Sequence, residues 1–354
     1  KHLLPLTPAF FKYFKSENIS KYLMLTDLAG GGIEAKLNIP VRRGNITLRK
    51  AYHKEDIVQL GMHLAILPFL QASWFDLDYT LGILDTRFDK ESELVVECYK
   101  SGETVRISSP VIRKQGDGRT FKSIYFKTKS FDAIRVGNNK YPGFVVPLMP
   151  DCQANQQVSF SIDFGTTNTH IEYKSGLNAE KAIDVTADHP MWQSLIDRTK
   201  GETKDLADDY NYERDIFPYE FNSNTDHKFP FRTALTYNPN INFNEKLDVF
   251  THTNNFLLFE KIIPTNYLQL QTKLKWSNYS KREDKILVES YIECLMYFVF
   301  YKMLQLNGDP QRTQITWFYP VSMDAFEQGI FFDVWQKAYR NVFKSSNIGN
   351  INAV

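Results

Sequence analysis

SIDFGTTNTHIEY, residues 161–173, is the stretch on which the reading of the fold turns. Val158–Phe164 is an apolar strand that ends at Gly165, Thr166–Thr169 form a polar turn, and His170–Tyr173 run back as an antiparallel strand. A carboxylate, Asp163, stands at the end of the buried strand directly before the glycine. Gly165 has no Cβ, so the backbone can turn tightly and approach a bulky anion. Consecutive amides of Thr166, Thr167 and Asn168 can then point at phosphate oxygens, with the threonine hydroxyls as further donors. Asp163 would repel phosphate on its own, and its position makes sense when a divalent cation and its water shell lie between the two. As a bare pattern the same letters fit a plain β-hairpin with a glycine turn, but such a turn needs no carboxylate just before it.

Downstream, a long polar passage from about 187 to 224 reads as a surface insertion. Phe229–Tyr237 reads as a strand introduced by Pro230. Asp284–Leu306 is apolar nearly all round and predicts a helix packed on several sides. Asn307–Pro310 stop it, Gln314–Tyr319 follow as a buried strand, and Asp324–Phe343 predict a second helix with one broad apolar face. Asn347–Val354 begin a further strand. Helix, strand and helix after an antiparallel hairpin mean mixed α/β.

Upstream, residues 1–152 form a separate, mostly β block. Phe10, Phe11 and Phe14 mark a short amphipathic piece, and Gly30–Gly32 break regular structure. Ile57, Leu60, Leu64 and Leu67 have helical spacing and predict a helix over 55–67, limited by Pro68. Short strand-like runs follow, two of them separated by Ser101 and Gly102, a pair suited to a tight hairpin. The polar run 153–157 marks the boundary with a second domain, 153–354.

Composition narrows the function classes. Forty-two Lys plus Arg against 41 Asp plus Glu leave a net charge of +1 over 354 residues, so no global field draws the chain to nucleic acid or membranes. Arg42, Arg43, Arg49 and Lys50 are the local basic residues, read as a solvated face rather than a nucleic-acid site. The most apolar stretch, Tyr291–Leu306, is shorter than a bilayer span and carries Glu293 and Lys302. Cys98, Cys152 and Cys294 lie far apart with no metal-ligand spacing, which fits a reducing cytoplasm.

The hairpin at 163–169 resembles the first phosphate loop of the actin, sugar-kinase and DnaK-type chaperone superfamily. FPFRTALTY, 229–237, is similar to the chaperone segment that crosses back over the sheet, and TQITWFYPVSM, 313–323, to a later strand leading into a helix. The resemblance covers 158 to about 345. It implies an actin-like (ribonuclease H-like) nucleotide-binding lobe, incomplete at the C-terminus, with ATP and magnesium as cofactors. Gly165, Thr166, Thr167 and Asn168 would bind phosphate and Asp163 would hold the metal through water. It also implies a lysine from the lobe above the phosphates. Lys273 is the catalytic candidate, with Lys275 beside it, although both read equally as a solvated edge. The family's water-orienting carboxylate, second phosphate loop and adenine-binding segment follow the helix that ends near Phe343. ATP hydrolysis is therefore expected only where such a half is present.

The expected function is an ATP-dependent, chaperone-like switch whose N-terminal domain meets a protein partner. The alternatives are a non-catalytic actin-like scaffold and a small-molecule kinase of the same superfamily. A lone histidine at a strand start, His170, reads as packed rather than chemical.

Overall fold

A computed structural model describes residues 3–57, 62–85, 94–115, 121–185, 193–194, 227–237, 239–254 and 269–354. The chain is mixed α/β, mostly sheet with few helices, and divides into two compact units. Lys1–Leu64, Asp76–Lys114 and Thr120–Met149 make the first; Ala65–Phe75, Gln115–Arg119 and Pro150–Val354 make the second.

In the first unit, α1 (Pro8–Tyr13) and α2 (Ile19–Tyr22) precede a three-stranded antiparallel sheet of β1 (Leu23–Leu28), β2 (Gly32–Val41) and β3 (Gly44–Tyr52). The glycine run supplies the turn between β1 and β2. Gly30 and Gly31 take φ of 100° and 87°, which side-chain-bearing residues rarely adopt. The strands β4 (Met62–Leu67), β5 (Tyr79–Asp85), β6 (Leu94–Lys100), β7 (Glu103–Val105), β8 (Val111–Gln115), β9 (Phe121–Thr128), β10 (Ala133–Asn138) and β11 (Pro142–Val145) follow, although Ala65–Leu67 of β4 and Gln115 of β8 belong to the second unit. Ser101 and Gly102, both at positive φ, close the tight β6–β7 hairpin, with Lys100 opposite Glu103. Phe10, Phe11, Tyr99, Ala133 and Phe144 form a core cluster against which α1 is held. The helix expected over 55–67 is not formed. Lys54–Asp56 make one short 3₁₀ turn, and 62–67 are the strand β4. Leu64, Ala65, Ile66 and Leu67 are all buried, so the run is apolar towards both sides, and a doubly buried strand carries no alternation to separate it from a helix.

Among the described residues of the second unit the central sheet has six strands: β12 (Val158–Phe164), β13 (Asn168–Ser175), β14 (Lys181–Ala182), β18 (Phe231–Arg232), β22 (Gln314–Trp317) and β23 (Ile351–Ala353). Short strands β15 (Asp184–Val185) and β17 (His227–Lys228) pair with each other, and β16 (Gln193–Ser194) pairs with Ala65 and Ile66. Apart from 193–194, the polar passage read as an insertion lies outside the described residues. A small antiparallel sheet joins β19 (Ala234–Tyr237) to β20 (Thr253–Asn254) and β21 (Gln269–Thr272).

The central order is β14-β13-β12-β22-β23: an antiparallel meander on one side of β12, and parallel strands on the other. Helix α3 (Arg282–Gln305) precedes β22, and α4 (Ala325–Phe343) links β22 to β23. Burial alternates strictly along β12. Val158, Phe160, Ile162 and Phe164 are inside, while Ser159, Ser161 and Asp163 are exposed. The inner row packs on the two helices, Phe164 lying 5.7 Å from the rings of both Tyr291 and Phe331. Burying each such ring contributes roughly 1.5–3 kcal/mol.

Helix α3 is buried along most of its circumference, as its sequence predicts. It stops where Asn307 turns left-handed at φ 56° and where any Cβ on Gly308 would sit 2.4 Å from the Met303 side chain. Helix α4 starts with a capping box. Glu327 N–H donates to Asp324 Oδ1 at 2.8 Å, and Asp324 N–H returns a bond to the Glu327 carboxylate. Cys98, Cys152 and Cys294 form no disulfide and are all buried. Among the described residues no helix is long and apolar enough to cross a membrane.

Candidate functional site

The carboxyl ends of the parallel strands β12, β22 and β23 meet one edge of the sheet, and β12 is where the pairing changes from antiparallel to parallel. Ligands of open α/β sheets bind at such switch points. The loop Gly165–Thr167 lies here.

Gly165 is required by space, not by its φ angle. A Cβ on it would sit 2.4 Å from the carbonyl oxygen of Asn168, across the turn. Thr166, Thr167 and Asn168 are exposed, and among the described residues the amides of Thr166 and Thr167 donate to no other backbone group. Thr169 points inward, and its Oγ1 lies 2.8 Å from Thr233 Oγ1 and receives the Tyr291 hydroxyl at 3.2 Å. The Tyr291 hydroxyl oxygen also lies 3.2 Å from the Arg232 carbonyl, and Thr233 N–H donates to the Thr167 carbonyl at 2.7 Å. Residues 231–233 are thereby tied to the turn from the side that faces away from solvent.

Asp163 is exposed on β12 and lies directly opposite His170 on β13, so the two side chains share a face. His170 Nε2 lies 3.0 Å from Glu172 Oε1. His170 is half-buried and engaged by its own strand.

A second segment reaches the loop from more than a hundred residues away. β21 pairs with β19 in antiparallel register, Thr272 opposite Ala234. The chain then turns left-handed at Lys273, φ 56°, into the 3₁₀ turn Leu274–Trp276. This turn divides the two candidate lysines. Lys273 is exposed, whereas Lys275 is 9% exposed and interacts electrostatically with Asp163. Trp276 donates its indole N–H to Thr166 Oγ1 at 2.9 Å. No local sequence signal marks Trp276, because its partner lies on the other side of the polar passage.

Burial lowers the pKa of Lys275 from its ordinary 10.5, and the Asp163 charge opposes that shift only in part. In the interval below 10.5 the folded protein thus binds fewer protons at this residue than the unfolded chain. Stability rises with pH across that interval, and the charged ammonium is a cost at neutral pH. Lys275→Met is expected to leave the melting temperature at pH 7 unchanged or raised. Thermal melting checks this, and a clearly lowered melting temperature would contradict it.

Among the described residues no group of three or more His, Cys, Asp or Glu side chains could hold a metal by itself. Asp163 is a single hard oxygen donor, suited to a cation whose other ligands are water and phosphate oxygens, as magnesium prefers. The free amides, the hydroxyl-bearing turn and the glycine with no room for a Cβ suit a phosphate beside it. No family model, characterised protein or solved structure matches the chain.

Proposed function

We propose that the second unit binds the phosphates of magnesium–ATP as the front part of an actin-like, ribonuclease H-like lobe, in a protein that works as an ATP-dependent switch. The observation that carries this reading is the convergence on one turn of four features. These are a carboxylate at the strand end, free amides next to a glycine that tolerates no Cβ, a buried lysine that interacts electrostatically with that carboxylate, and a tryptophan latched to the turn. The order of elements supports it as well. The hairpin opens the sheet, the segment after Pro230 ties to the turn, and a later strand next to β12 leads into a helix.

When bound, magnesium–ATP would supply a transferable terminal phosphoryl group and a compact charge. Asp163 would hold the cation through its water shell, and the amides of Thr166 and Thr167 would take phosphate oxygens. Lys275 would balance the remaining negative charge from the covered side. Burial keeps this lysine less solvated than a surface one, which strengthens its attraction to phosphate.

Calorimetric titration of ATP into the full chain, with magnesium and with a chelator, tests the reading. Wild type is expected to bind with magnesium. Asp163→Ala is expected to lose about tenfold or more in affinity with magnesium and to change little without it. Asp163 is exposed, so the variant keeps its core. Folded wild type that shows no binding would overturn the reading and favour an actin-like assembly scaffold.

A further inference from the structure

The strand β3 is exposed from Gly44 to Ala51 and is a terminal strand of its sheet. Its pairing with β2 starts at Val41 opposite Gly44, across the two-residue turn Arg42–Arg43. A two-residue hairpin turn closes on a hydrogen-bonded pair, and alternation along an antiparallel ladder then directs the backbone N–H and C=O groups of Asn45, Thr47, Arg49 and Ala51 to the open side. Pro40, which has no N–H to give, falls opposite Asn45 in one of the pairs that need none.

The two faces of this edge differ. One carries Ile46 and Leu48 opposite Ile39 and Leu37, with Val41 at the end of the row. Ile46 is 50% exposed, Leu48 54% and Val41 44%, an uncovered apolar row. The other face carries Asn45, Thr47 and Arg49. Arg42 and Arg43 stand at the tip without an ion pair among the described residues, Lys50 lies over the Tyr52 ring, and Arg49 has Glu34 at 3.9 Å as its acidic neighbour. A free edge beside an apolar row is a template for strand addition, and basic residues on it select among partners. A second copy would bring the same four cations to the same edge and is repelled. An acidic strand is attracted.

We propose that β3 is a docking edge that takes, by strand addition, an extended acidic segment of a partner protein whose alternate residues are apolar. Its apolar residues would cover Ile46 and Leu48, and its carboxylates would lie along Arg49 and the tip arginines Arg42 and Arg43.

Fluorescence anisotropy with a labelled peptide of alternating valine and glutamate, titrated with the full chain, tests this. Saturable binding is expected, weaker at high salt, with a valine–lysine peptide failing to bind. Thr47→Pro removes an outward N–H and no backbone bond to β2, losing there only the exposed side-chain bond from Thr47 Oγ1 to Asn38 Oδ1, and is expected to weaken binding at least about tenfold. The double variant Ile46→Glu with Leu48→Glu, at exposed positions, is expected to do the same and serves if the proline variant melts early. The proposal is overturned by absence of saturable binding, by equal binding of the two peptides, or by indifference to both variants. Tighter binding of a single-stranded oligonucleotide would make the edge a nucleic-acid surface instead. A concentration-dependent dimer in sedimentation, lost in Thr47→Pro, would make it a contact between copies.

Discussion

Gly165→Ala is expected to abolish measurable magnesium–ATP binding and to lower the stability of the second unit. The added methyl would lie 2.4 Å from the Asn168 carbonyl oxygen and 3.5 Å from its carbon. Both are backbone atoms of the returning strand, so no side-chain rotation relieves the overlap, and the turn must open. Opening it moves Thr166 and Thr167, which carry the free amides, and pulls Thr166 from the Trp276 indole. Forced overpacking of this kind costs about 1–3 kcal/mol in stability. The affinity loss follows from geometry, since amides displaced by even a fraction of a hydrogen-bond length no longer converge on one anion. Urea unfolding followed by circular dichroism, paired with calorimetry, measures both effects. A variant that binds ATP as wild type does would show that the tightness of the turn has no part in phosphate binding.

Trp335→Ala is the second large effect, and it acts from beneath the loop. Trp335 is fully buried on α4, stacked on Trp317 with ring centroids 4.8 Å apart and planes 7° from parallel, and set edge-on to Phe164. Emptying this position is expected to cost about 3–5 kcal/mol. Its indole N–H has no hydrogen-bond partner among the described residues. Trp335→Phe removes that orphaned donor and is expected to recover most of the loss. Because Phe164 immediately precedes Gly165, the alanine variant is also expected to bind nucleotide less well at temperatures where it is still folded. Equal stability of the alanine variant and wild type in urea would refute this account of the core.

What the sequence made legible depends on how each element is buried. β12 was readable because one face is covered and the other is not, so Val158, Phe160, Ile162 and Phe164 alternate with polar residues. The two long helices were readable from their apolar spacing and stop signals. β4 was misread as helix because Leu64–Leu67 are buried on both sides and carry no alternation. β2 and β3 escaped notice for the opposite reason: much of their apolar row is exposed, so it does not stand out as core. At the site, the turn residues 163–168 are contiguous and could be found by pattern. The choice between Lys273 and Lys275 could not, because it rests on the left-handed turn at Lys273, which sends the next lysine inward. The Trp276–Thr166 bond depends on the β19–β21 pairing, which no local window contains.

The buried cysteines have a practical consequence for watching the loop. Burial pushes the Cys98 thiol up to about 12, raises that of Cys152 as well, and leaves Cys294 with no exposed surface. Alkylating reagents need an accessible thiolate, so the folded chain offers them no native target. A single Thr167→Cys would then be the one attachment point for a maleimide dye. Its emission would report the 165–168 turn alone, with no need to strip the protein of its own sulfur first.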